Sequence, residues 1–169
     1  MLATTSTEDQ LAELLCHFPS TSAICAAVHD LRPDHDRFLL KGMRACSPEL
    51  METTERLATA ILSLCSPSLQ QVAKNYLWTC DLVNEEQLYF QRNGKYRLTT
   101  FEEAYAEVYS NHEYMEKYMS GLLLTQVLWF NHAASFDFFL RVAPELLPEK
   151  SQLPGNWPRA RFDALPLNA

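Results

Sequence analysis

A chain of 169 residues with 47% apolar side chains fits one globular domain with a real core. Its formal net charge of −7, with no basic run anywhere, argues against a protein whose main task is to neutralise phosphates. Gly42, Gly94, Gly121 and Gly155 each stand alone, so no phosphate loop or dinucleotide fingerprint can be assembled.

The N-terminal stretch MLATTSTEDQLAELL has no positive segment followed by an apolar core, so neither export nor membrane insertion is indicated and a cytoplasmic setting is expected. Five cysteines, Cys16, Cys25, Cys46, Cys65 and Cys80, are odd in number and widely spaced. They read as reduced and mostly buried. Ser6 or Thr7 can cap a first helix through Leu15, with Glu8 and Asp9 in its first turn, where the helix dipole favours acids. Pro19 ends it. A small apolar helix follows over Thr21–His29, and Pro33 opens a third that carries Phe38, Leu39, Leu40 and Met43. Ser47-Pro48 and Ser66-Pro67 repeat one start signal, a serine cap followed by proline, and predict helices over 48–64 and 67–78.

After Asp81 the reading changes to strand. The segment QLYFQRNGKYRL centres on Asn93-Gly94, a strong two-residue hairpin signal because both turn positions need positive φ. Thr100 and Glu103 have capping-box spacing and open the helix FEEAYAEVY, and Asn111 can cap the next.

The chain is organised around the run from Tyr114 to Phe139, which has no charged side chain between Lys117 and Asp137. As a continuous helix it would span roughly 39 Å, and the pattern also accommodates one break. Leu122, Gln126, Trp129, Ala133 and Phe136 form a packing face at three-and-four spacing. Tyr118, Gly121, Thr125, Leu128, His132 and Ser135 form a smaller, more polar face, the composition expected where another backbone or a ligand approaches. Burial of Trp129, Phe130, Phe136, Phe138 and Phe139, at about 1.5–3 kcal/mol each, is expected to anchor the core. Gln126, Asn131 and His132 interrupt the run short of a bilayer span.

The expected fold is therefore mainly α: a helical domain over 1–148 with a small β-hairpin, winged-helix-like, and a long buried C-terminal helix. An irregular tail covers 149–169. Winged helices bind DNA in regulators and serve as dimerisation domains in enzymes. In the DNA-binding alternative Gln70, Gln71, Lys74 and Asn75 would face bases and Arg92, Lys95 and Arg97 would meet phosphates, a reading the acidic net charge opposes.

From about Tyr76 to Leu147, through the GKYRLTTFEEA step and the run HEYMEKYMSGLLLTQVLWFNHAASFDFF leading into PELLPE, the chain resembles the N-terminal helical region of certain class I S-adenosylmethionine-dependent methyltransferases. The resemblance implies a region that packs on and partly closes a methyl-transfer site for a small-molecule substrate. In that family a cofactor domain follows directly, beginning with a strand and a glycine-rich loop. Here Ser151–Ala169 shows neither helical nor strand periodicity and is broken by Pro154, Pro158 and Pro166. Dropping the first nucleotide of the Pro154 codon permits Leu-Glu-Ile-Gly-Pro-Gly-His-Gly in the new frame, and Trp157 followed by proline forces the first of those glycines. The expectation is a frameshift just before the cofactor domain. It leaves a chain that binds no S-adenosylmethionine alone and whose partner is a second copy or a complementary cofactor domain.

Under the resemblance, His132 is the candidate catalytic group, an imidazole able to orient or deprotonate a nucleophilic hydroxyl or amine. Tyr114, Tyr118, Gln126, Trp129 and Asn131 are the candidate substrate contacts. The plain alternatives are a structural hydrogen bond for His132, satisfied core amides, and packing for Trp129. His29, Asp30, Asp34, His35 and Asp36 are metal-ligand types within HDLRPDHD, but no second cluster supports a metal and a polar connection is the expected role. A third reading is a helical interaction module that dimerises through the Gly121–His132 face.

Overall fold

The computed structural model describes residues 6–64 and 68–146, with side chains through Val142. The tail, and with it the frameshift expectation, lies outside the described residues, as does Cys65. The chain forms two compact units, Met1–Asp137 and Phe138–Ala169. Mainly helical character is as expected: α1 is Thr7–Leu14, α2 Pro19–His29, α3 Asp36–Arg44, α4 Pro48–Leu64, α5 Leu69–Asn93, α6 Phe101–Ala104, α7 His112–Leu128 and α8 Phe130–Leu146. A short 3-10 turn, Pro33–His35, leads into α3, and a π-helical turn, Tyr105–Tyr109, continues α6.

Local chemistry explains most boundaries. The Ser6 hydroxyl accepts from the Asp9 N–H at 3.0 Å while the Asp9 carboxylate takes the Ser6 N–H, a reciprocal cap on α1. Thr100 and Glu103 repeat the device on α6, and the Asn111 side chain accepts from the Tyr114 N–H to start α7. Pro19, rather than ending α1, is the first residue of α2, where its missing N–H is no loss.

The hairpin is overturned. Helix α5 runs on through Leu88–Phe90 to Asn93, and no strand occurs among the described residues. Gly94 is the left-handed residue that stops the helix, at φ 69°, and its N–H bonds back to the Phe90 carbonyl at 2.7 Å. Asn93 stays helical, its amide donating to the Tyr89 carbonyl at 2.8 Å. Asn-Gly is as good a helix stop as a hairpin turn. The wing of the winged-helix reading is therefore absent. Asn75, placed on the base-reading face by that scheme, is buried and donates to the Ser120 hydroxyl of α7.

The core of the first unit is mainly aliphatic, with Tyr76 its largest fully buried side chain. Leu15, Ile24, Val28, Leu39, Tyr76, Leu124, Val127 and Leu128 are each at most 2% exposed. The expected long buried helix is also corrected, in two ways. It breaks at Trp129, and although half-buried Trp129 packs against the core, Phe130, Phe138 and Phe139 are 42%, 61% and 49% exposed. Leu124, Val127, Leu128 and Ala133 carry the burial instead. The small face does receive another backbone, that of α5. A Cβ at Gly121 would sit 2.6 Å from the Asn75 carbonyl oxygen and would also collide with the Thr79 hydroxyl. Along this face Gly121, Thr125 and Leu128 are buried.

Candidate functional site

The break between α7 and α8 is built by side chains on either side of it. Trp129 adopts an extended conformation, φ −100° and ψ 113°, and its carbonyl accepts from the N–H groups of His132 and Ala133, which starts α8. The buried Thr125 hydroxyl donates to the Leu122 carbonyl at 2.7 Å. Having spent its proton there, it can only accept at 3.0 Å from His132 Nδ1. The Gln126 amide nitrogen lies 3.5 Å from the same Nδ1, and His132 ties the last turn of α7 to the first turn of α8. Its ring packs at 5.0 Å from Trp129, and Nε2 makes no hydrogen bond to the described residues. The Gln126 amide reaches the Leu122 carbonyl and the Thr125 hydroxyl, both at 3.4 Å, so it belongs to the same internal network.

Beside this corner lies a cavity of about 630 Å³ walled by α3, α5 and the start of α8. Phe38, Val83, Trp129 and Phe130 supply apolar surface, and Lys41, Asn84 and Asn131 supply polar groups. This is the size and mixture of a small-molecule site. His35 and Cys80 also line it. His35 Nε2 pairs at 2.9 Å with the hydroxyl of fully buried Tyr76. Burial, helped by the Arg32 guanidinium, lowers the His35 pKa, so the imidazole is neutral near pH 7. Burial also raises the Tyr76 and Cys80 pKa values, which keeps phenol and thiol protonated. The Trp129 indole N–H lies beside both but makes no hydrogen bond of acceptable geometry. Cys25, deep in the core, is pushed up to about 12, so it is no nucleophile.

The six residues singled out from sequence therefore separate into three places. Trp129 and Asn131 line the corner cavity, His132 and Gln126 form the staple behind it, and Tyr114 and Tyr118 line a different groove between α5 and α7. Phe38, Lys41, Cys80 and Asn84 were missed, because three separate helices must assemble before they meet. The acidic and histidine cluster near residue 30 disperses: His29 bonds Asp36 at 2.8 Å, Asp30 accepts from Gln70, and His35 turns to Tyr76. No group of side chains suited to holding a metal occurs among the described residues.

No protein-family model, no curated protein and no solved structure matches this chain.

Proposed function

We propose that this chain is the substrate-side helical domain of an S-adenosylmethionine-dependent methyltransferase, which lines an acceptor pocket and is inactive without a cofactor domain. The supporting observation is the corner cavity. The segment that carries the resemblance breaks at Trp129, and Trp129, Phe130 and Asn131 from that break form one wall of a ligand-sized, aromatic space. In this reading Trp129 and Asn131 contact the acceptor, while His132, outside the cavity's lining, holds the corner that positions them. The described residues do not fit the cofactor itself. Gly42 lies inside α3, Gly94 ends α5 and Gly121 is taken up by the α5 crossing, so none is left to cradle a nucleotide.

Two titrations with S-adenosylmethionine test the proposal. Calorimetry on the 169-residue chain should show no saturable heat. Deleting one nucleotide at the Pro154 codon and expressing the gene onward in that frame should create one-to-one binding. Binding by the original chain, or none by the frame-restored product, overturns it.

A further inference from the structure

The second cavity, about 1020 Å³, lies between the C-terminal half of α5, the segment after Gly94, the π-helical turn and α7. Two ring pairs line it: Phe90 with Tyr96, centroids 4.8 Å apart, and Tyr114 with Tyr118, 6.4 Å apart. Tyr109 adds a fifth ring from the π-helical turn. The hydroxyls of the four tyrosines make no hydrogen bond to the described residues, and Glu107, also in the lining, has no ion-pair partner among them. The other acid, Glu86, is matched by Arg97 at 3.0 Å. The groove's charged side chains thus leave one carboxylate over.

Rings of this kind attract cations through their negative faces, and the chain already uses that attraction at two rings outside the groove's lining. The Arg97 guanidinium sits 5.0 Å over Tyr89, and the Lys117 ammonium sits 4.2 Å over Trp78, whose ring packs edge-on against Tyr114. We propose that this groove is a binding site for an organic cation, an amine or quaternary ammonium carrying an apolar body, with the charge held among the tyrosine faces and Glu107. The net charge of −7 draws such a ligand toward the protein. The site stands independently of any methyl-transfer role, since it shares only Val83 with the lining of the corner cavity.

The test is binding to the full chain, followed by calorimetry and by tyrosine ring signals in NMR. The probes are benzyltrimethylammonium, choline and 3,3-dimethylbutan-1-ol, the uncharged isostere of choline. Benzyltrimethylammonium should bind saturably, and choline should bind at least about fivefold more tightly than its isostere. Glu107→Gln and Tyr109→Leu change exposed side chains, so folding, checked by circular dichroism, is unaffected. Each should weaken benzyltrimethylammonium about three- to tenfold. Equal affinity for choline and its isostere, no saturable binding of benzyltrimethylammonium to the folded chain, or variants that bind as the parent does, each overturn the proposal.

Discussion

Replacing Gly121 by alanine tests the helix crossing on which the first unit depends. The added methyl would lie 2.6 Å from the Asn75 carbonyl oxygen and 2.9 Å from its carbonyl carbon, so backbone as well as the Thr79 side chain stands in the way. A side chain could turn aside, but a helix has to move. Overpacking of this kind costs about 1–3 kcal/mol, and backbone contact puts Gly121→Ala in the upper part of that range. The better helix propensity of alanine returns about 1 kcal/mol. The net loss is about 1–2 kcal/mol, or roughly 2–8 °C in melting temperature for a chain of this size. Gly42→Ala is the control, because its methyl would meet only the Leu128 carbonyl oxygen at 3.9 Å, an ordinary contact. It should gain about 0.5–1 kcal/mol from propensity alone. Adding Thr79→Ala to Gly121→Ala should recover little, since the Asn75 backbone remains. Urea unfolding of the parent and these three variants measures all of this, and a Gly121→Ala protein as stable as the parent would refute the crossing.

Asn93→Ala distinguishes helix from hairpin: it should change stability by less than about 0.5 kcal/mol, as befits an exposed helical position, whereas Gly94→Ala should cost about 1 kcal/mol through the left-handed φ. A large loss in Asn93→Ala would favour a turn. Thr125→Val removes the acceptor for His132 Nδ1 and the donor to the Leu122 carbonyl, and should cost about 1–2 kcal/mol in denaturant unfolding; a neutral result would remove the staple. Two histidines should give pH slopes of opposite sign. The hydrogen bond to Asp36 raises the His29 pKa above 6.5, so its stabilisation is complete below pH 6.5 and fades as pH rises through the folded value. His35 is depressed by burial, so its contribution is complete above pH 6.5 and fades as pH falls through the folded value. In unfolding series across pH 5–9, His29→Gln should remove the decline on the alkaline side and His35→Gln the decline on the acid side. Unchanged slopes would contradict both assignments.

What could be read from the chain depended on how local the signal was. Ser6 with Asp9, Thr100 with Glu103, Asn111 before α7 and Pro48 opening α4 act within three or four residues, and each sits where its spacing placed it. The Asn93-Gly94 pair was local too but ambiguous, since the same left-handed glycine ends a helix or turns a hairpin. Gly121 marked a close approach correctly, although nothing nearby in sequence says that the approaching backbone is that of α5. The aromatic run misled for a related reason. Size and apolarity said that Phe130, Phe138 and Phe139 should be inside, yet all three are exposed and the core of the first unit is built mainly from aliphatic residues. His132 was visible as a polar group in an apolar run, whereas its tie to Thr125 follows only from the change of direction at Trp129. The corner cavity was the least legible part: Phe38, Asn84 and Asn131 share a wall only after α3, α5 and α8 have packed.

The change of direction at Trp129 also divides labour within the first unit. The shape of the adjoining hollow is set from behind, by a hydroxyl and an imidazole outside its lining, while the groups that would meet a guest, Phe38, Lys41, Asn84, Phe130 and Asn131, are exposed side chains carried by three helices. Taste and architecture therefore reside in different residues, and the first can be re-engineered at the rim without retooling the second.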